Sequence, residues 1–373
     1  MGLKSFLKQV NEIADEKNKV KFDEKLSGIH IHNKKKIYNS YRLYDGKLID
    51  INGNIVKEWS YKYLGIMHKD KYIAQKGYEE NSWGLFDKNN KQIFKKNNTI
   101  HHDIIVTNNN TIITLNKETK KYKGRLVEFD TIEEYNLKGK LLNSWSVWDN
   151  LKILKKHHKS LTLDFPKIPV IPDFVKKKEK SPWGANHDYY HINSIQIIPK
   201  NKLEKKDKRF KQGNWLISCR HGSMIFILDK DTKEVLWKMT QFDIEDNLEG
   251  QHSPQMLENG NILIFDNGRY RKWSRIIELN PINMNIEWEY KNDDFFTLSQ
   301  GYVQKLDNEN LLITQSEDGR VFEITKDKEI VWEFYHPEKQ NKKNSNFPKS
   351  YGQRQWIYRM VSYDKSLMKK YIL

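Results

Sequence analysis

Cysteine is almost missing. Cys219 is the only one in 373 residues, which excludes an intrachain disulfide and suits a reducing compartment. No stretch stays apolar for the length of a membrane span. The opening MGLKSF has no apolar core of a signal peptide, and Phe6 stands where a myristoylation site needs Ser or Thr. These absences predict a soluble, cytoplasmic protein with no membrane partner. Apolar residues are also scarce, at 37%, with a mean hydropathy of −0.84. Disorder does not follow, because aromatics reach 12% and 11 tryptophans are spread along the chain, enough for a sizeable core if they are well phased.

Positive charge is abundant: +16 formally, with a pI near 9.4. Most of it is lysine dispersed among Asn and Ile, a compositional bias that makes a solvated face and not a nucleic-acid groove. We therefore expect no nucleic-acid partner, while the basic field favours small anions.

Leu3, Phe6, Leu7, Val10 and Ala14 form one apolar helical stripe, predicting a short N-terminal helix over 1–27 that docks on the main domain or a partner and offers a route to an oligomer. From Gly28 the period changes to two. Six times the chain runs through a strand, a turn with Asp, Asn or Lys, and a strand closed by an aromatic, at Trp59, Phe94, Trp145, Trp237, Trp288 and Trp332. A second motif, an apolar strand entered through a polar turn, precedes several of these, as in HHDIIVTNNNTIITL, QHSPQMLENGNILIF and GYVQKLDNENLLIT. Two hairpins per unit with one sealing aromatic describe the blade of a β-propeller. The predicted fold is all-β, a six-bladed β-propeller over 28–365, with a C-terminal tail over 366–373. Residues 151–180, rich in Lys and Pro, are expected to be an inserted loop, and WIYRMVSYD at 356–364 supplies a strand to close the ring. A pair of β-sandwiches is the rival, without this repeated aromatic closure.

Aligned by their turns, Leu257–Gly260 matches Thr107–Asn110, and counting back five residues gives His252 in one unit and His102 in the other. The same count lands on Gly301 in the sixth unit and on Asn193 in HDYYHINSIQIIPKN, where His191 lies two residues earlier. Residues at the mouths of inner strands converge in a propeller, so these form a candidate site. Arg220, ending WLISCR before the turn His221–Gly222, would suit an oxyanion through its planar fork. His101 adjoins His102 but is expected on the opposite side of its strand, and Cys219 is expected to face the sheet interior. No HxH or HxxxH pairing occurs at these positions and the arginine repels cations, so neither metal nor cofactor is predicted. His30 and His32 in GIHIH, and His157–His158, read as structural and surface histidines.

Six segments in order carry a resemblance: IYNSYRLYDGKLIDINGNIVKEW, HHDIIVTNNN, DYYHINSIQIIPKN, GNWLISCRHGSMIFILD, QHSPQMLENGNILIFDNG and SRIIELNP. Over roughly 28–365 the chain resembles the arylsulfotransferase family of bacterial aryl-sulfate sulfotransferases, six-bladed propellers that need no phosphoadenosine donor. The resemblance implies ping-pong transfer of a sulfuryl group from an aryl sulfate ester to a phenolic acceptor. It implies His252 as the nucleophile that becomes sulfohistidine, with His102, His191 and Arg220 in support and His101, Asn193 and Arg220 contacting substrate. Family members are typically exported and some carry a disulfide, which a chain with one cysteine cannot form. The alternative is a non-catalytic propeller binding a protein or a small anionic ligand. A quinoprotein-like dehydrogenase, suggested by FILDKDTKEVLW, would call for eight blades and acidic metal ligands.

Overall fold

Turn chemistry sets the strand pattern of this computed structural model, which describes residues 12, 23–76, 82–165, 167–171, 181–340 and 353–371. Between the last two strands of each repeat stands Asp50, Asp87, Asn136, Asp229, Asn280 or Thr325, and in all six its side-chain oxygen accepts a backbone N–H two to four residues ahead. Such side-chain turns reverse the chain cheaply, so each repeat folds back as an antiparallel meander. The described strands form six such sheets of four or five strands, the blades the repeat predicted.

Two compact units divide them. The first comprises Met1–Ile93, Val170–Pro182 and Gln300–Leu373, the second Phe94–Pro169 and Trp183–Ser299. We number the blades along the chain.

In the first unit, blade 1 is composite. Val361–Asp364 pairs with Ser40–Tyr44, so the tail strand expected from WIYRMVSYD joins the chain's end to its beginning. Blade 6, residues 302–335, gains an outer fifth strand, Gly28–His32. Arg42 of blade 1 and Glu323 of blade 6 form an ion pair with both side chains 0% exposed, and the guanidinium lies 3.8 Å over Trp332. The carboxylate is further satisfied by Tyr38 N at 2.8 Å and Asn310 Nδ2 at 2.6 Å.

In the second unit, blades 3, 4 and 5 occupy residues 104–146, 192–239 and 252–290. The six sealing aromatics stand in, or directly after, fourth strands. Trp237 Nε1 donates to Pro281 O in the turn of blade 5 at 2.9 Å, as Trp332 Nε1 does to Ile51 O of blade 1 at 3.0 Å. These two indoles thus tie their blades to the following ones while their rings fill the core.

The expectation of a loop fails over its first seven residues, 151–157. Residues 151–157 complete a helix, Val147–His157, capped by Ser146 Oγ accepting from Trp148 N and Asp149 N. Val147, Leu151 and Leu154 are buried in the blade 3 and 4 core, and Lys155, Lys156 and His157 fill the last turn, where cations suit the helix dipole. Lys152, Lys155 and Lys156 of the expected loop lie on the exposed face of this helix. Residues 166 and 172–180 of the insertion, and 1–11 and 13–22 of the expected N-terminal helix, lie outside the described residues. The expected tail begins with a helix, Lys365–Tyr371. No helix among the described residues is long and apolar enough to cross a membrane.

Candidate active site

The candidate residues lie in the second unit, at one end of blades 3 to 5. His252 begins the inner strand His252–Met256; His102 lies two residues before the inner strand Ile104–Val106, and His191 immediately precedes Ile192–Ile197. A backbone bulge lies at each place: His102, His191 and Ser253 have φ of 58°, 54° and 43°. This left-handed kink turns the side chains out of the strand's alternation. His101 is therefore not on the opposite side. Its ring lies 5.2 Å from that of His102 and 6.1 Å from that of His191, and His102 is 6.1 Å from His252.

His252 is 4% exposed. Its Nδ1 is 2.7 Å from Asn267 Oδ1, while Asn267 Nδ2 donates to Thr297 O at 2.9 Å. The carbonyl fixes which end of the amide faces the imidazole, so Asn267 accepts and His252 Nδ1 carries the proton. Nε2 then keeps its lone pair and makes no hydrogen bond within the protein. Burial first, and the Arg220 guanidinium next, push the His252 pKa down to about 3. Arg269, 8% exposed, acts in the same direction. Gly250, two residues before His252, lets Arg269 approach: a Cβ there would lie 2.2 Å from Arg269 Cδ, and the φ of +67° also favours glycine.

His102 and His191 meet Nε2 to Nε2 at 2.7 Å, and His191 Nδ1 is 2.5 Å from Asp188 Oδ2. Burial holds both imidazoles well below the usual histidine range, in His191 against the pull of Asp188. Burial works to raise Asp188, but Lys117 and His191 outweigh it and keep the carboxyl well below its usual range. His221 donates Nδ1–H to Asp188 O at 3.1 Å, and burial takes its pKa to about 3. Asn193, 4% exposed, donates Nδ2–H to Gln251 O at 2.7 Å and so braces the residue before His252.

The structure thus brings together His252, His102, His191, His101 and Arg220, and adds Asp188, His221, Asn267, Arg269 and Lys117. Part of this was open to sequence. Counting five residues on from the paired positions Ile112, Trp215 and Ile262 gives Lys117, Arg220 and Asn267, one register on three second strands. Asp188, His191 and His221 present ligand atoms within 4.8 Å of one another. One carboxylate oxygen of that group already holds both the Lys117 ammonium, at 2.7 Å, and His191 Nδ1. With Arg220 and Arg269 close by, the cluster is matched to an anion.

A search of curated proteins finds no match. Among solved structures, the chain is similar to a Bacteroides caccae protein of unknown function at 13% identity, covering 80% of this chain and 94% of that one, with a TM-score of 0.44. It is similar to a Staphylococcus aureus virginiamycin B lyase at 11% identity, covering 75% and 71%, with a TM-score of 0.40. The Dos1 propeller matches at 11% identity over 84% and 76%, with a TM-score of 0.38. The family model of Arylsulfotransferase (ASST) matches residues 40–337, a span that includes the whole cluster from His101 to Arg269. The chain belongs to the arylsulfotransferase family.

Proposed function

We propose that the protein transfers a sulfuryl group from an aryl sulfate ester to a phenolic acceptor through a covalent intermediate on His252. The observation that carries this is the chain from His252 Nδ1 to Asn267 Oδ1, and from Asn267 Nδ2 to Thr297 O, which commits the proton to Nδ1 and leaves Nε2 as a buried lone pair. A nucleophile of this kind has to be neutral, and burial with Arg220 beside it keeps His252 neutral above about pH 3.

In the first half-reaction Nε2 attacks sulfur. The S–Nε2 bond forms, the S–O bond to the aryl group breaks, and its electron pair leaves on the phenolic oxygen. Arg220 and Arg269 stabilise the charge on the sulfuryl oxygens, with His101 and Asn193 at the same site for substrate contact. In the second half-reaction the acceptor oxygen attacks the same sulfur and the electron pair returns to Nε2. The imidazole is regenerated and no other donor is consumed, so the kinetics are double-displacement. Initial rates against donor at several acceptor concentrations should give parallel double-reciprocal lines. Intersecting lines would mean direct transfer within a ternary complex and would remove the covalent step.

A further inference from the structure

Asp188 reaches the site by an unusual route. After the insertion the chain returns as a two-residue strand, His187–Asp188, parallel to Arg125–Asn136, which sets Asp188 opposite Glu128. Two buried carboxylates side by side repel, and Lys117, which faces Asp130 across the blade 3 hairpin, serves both: its Nζ is 2.9 Å from Glu128 Oε2 and 2.7 Å from Asp188 Oδ2. The three side chains are 2–7% exposed. The shared ammonium offsets the repulsion between the two and keeps Asp188 ionised. The charged Asp188 oxygen then accepts from His191 Nδ1, which leaves His191 Nε2 to meet His102 Nε2.

Both ring nitrogens of His191 are thereby committed, so His191 is an inner link. His102, whose ring is 6.1 Å from that of His252, is the outer one. Resting on sulfuryl transfer at His252, we propose that Asp188, held ionised by Lys117, is the positioning residue that makes the His102–His191 pair the carrier of the phenolic proton. The pair is neutral in the free site, and the negative charge of the bound sulfate ester favours its protonated form, which gives its proton to the departing oxygen when the S–O bond breaks. When the acceptor attacks, the pair takes that hydroxyl's proton, so one proton leaves and one returns per cycle. The charged and titratable groups facing this chain are Lys117, Glu128 and Asp130 from the hairpin, His101 beside His102, Arg220 and His221 from the following turn, and His252.

Asp188→Asn keeps the shape and removes the charge. The test is single-turnover phenol release from para-nitrophenyl sulfate, whose phenolate leaves unaided, and from para-methoxyphenyl sulfate, whose phenolate needs a proton, across pH. The variant should slow the poor leaving group about 10²- to 10⁴-fold and the good one less than about 10-fold, and should move the pH profile of the former. Equal slowing of both donors, or an unmoved profile, assigns Asp188 a merely structural role and overturns the proposal. Nitrogen-15 NMR of histidine-labelled wild type gives a second test that needs no variant to fold. His191 should carry its proton on Nδ1 at neutral pH, and an unprotonated Nδ1 overturns the proposal. If wild type forms no sulfuryl adduct with either donor, the transfer reading fails and this one with it; an adduct together with an unaffected Asp188→Asn removes only the role of Asp188.

Discussion

Asn267→Ala removes the side-chain acceptor of His252 Nδ1, and its effect can be worked from the geometry. Both residues are buried, at 0% and 4% exposure, so no solvent replaces the lost oxygen. Keeping the reactive tautomer then means burying an N–H that has lost its Asn267 partner and keeps only the Gly250 backbone beside it, which costs at most about 1–3 kcal/mol. The imidazole escapes that cost by moving its proton to Nε2, the nitrogen that has to attack. The population able to react falls by the same free energy, so sulfuryl transfer should slow by about 5- to 150-fold. The assay is stopped-flow phenol release with enzyme in excess over para-nitrophenyl sulfate, which isolates the first half-reaction. Asn267→Asp restores an acceptor and adds a charge that raises the His252 pKa. It should recover most of the rate at neutral pH and acquire a new loss of rate on the acid side. If Asn267→Ala, still folded, matched wild type within a factor of two, the tautomer would not be set by Asn267 and the reasoning would fail.

Three further outcomes are expected. His221 and His252 have folded pKa values of about 3 against an ordinary 6.5, lowered chiefly by burial, so their contribution to stability is fully present above pH 6.5 and is lost as pH falls toward 3. At pH 5 each should cost about 2 kcal/mol by linkage, and urea melts at pH 7 and 5 should differ by about half as much on that account in His252→Ala, whereas an unchanged difference would contradict the assignment. Glu323→Gln leaves the Arg42 charge buried without its partner and should destabilise by about 3–5 kcal/mol in urea, where a loss under about 1 kcal/mol would show the pair to be dispensable. Leu154→Ala should cost about 2–5 kcal/mol if the helix Val147–His157 belongs to the core, and a near-neutral result would return that segment to the status of a loop.

The repeat was legible because its signals are local. The side-chain turn at Asp50 and its five counterparts, and the aromatic seven to nine residues further on, act through nearby backbone and one neighbouring blade. The histidines were legible as a register, though an imperfect one. Counted from Ile112 and Ile262, Leu115 and Phe265 are equivalent, yet Leu115 O accepts from His101 N while Phe265 pairs with His252. Blade 3 therefore carries one more bulged residue than blade 5, and a count along the sequence cannot see where a bulge absorbs a residue. That bulge brought His101 into the cluster. Asp188 depends on a parallel pairing formed after an insertion, and His221 on burial beneath it. Neither leaves a periodic trace. Asn267 did leave one, in the second strands, but a lone asparagine after a strand is ordinarily a turn residue.

The most direct test of the account is the mass of intact protein mixed with an aryl sulfate and no acceptor, followed by mapping of the modified peptide. The account predicts a gain of one sulfuryl group on the peptide containing His252, discharged by added phenol and absent from His252→Ala. No gain in wild type, or a gain that persists in His252→Ala, would contradict it.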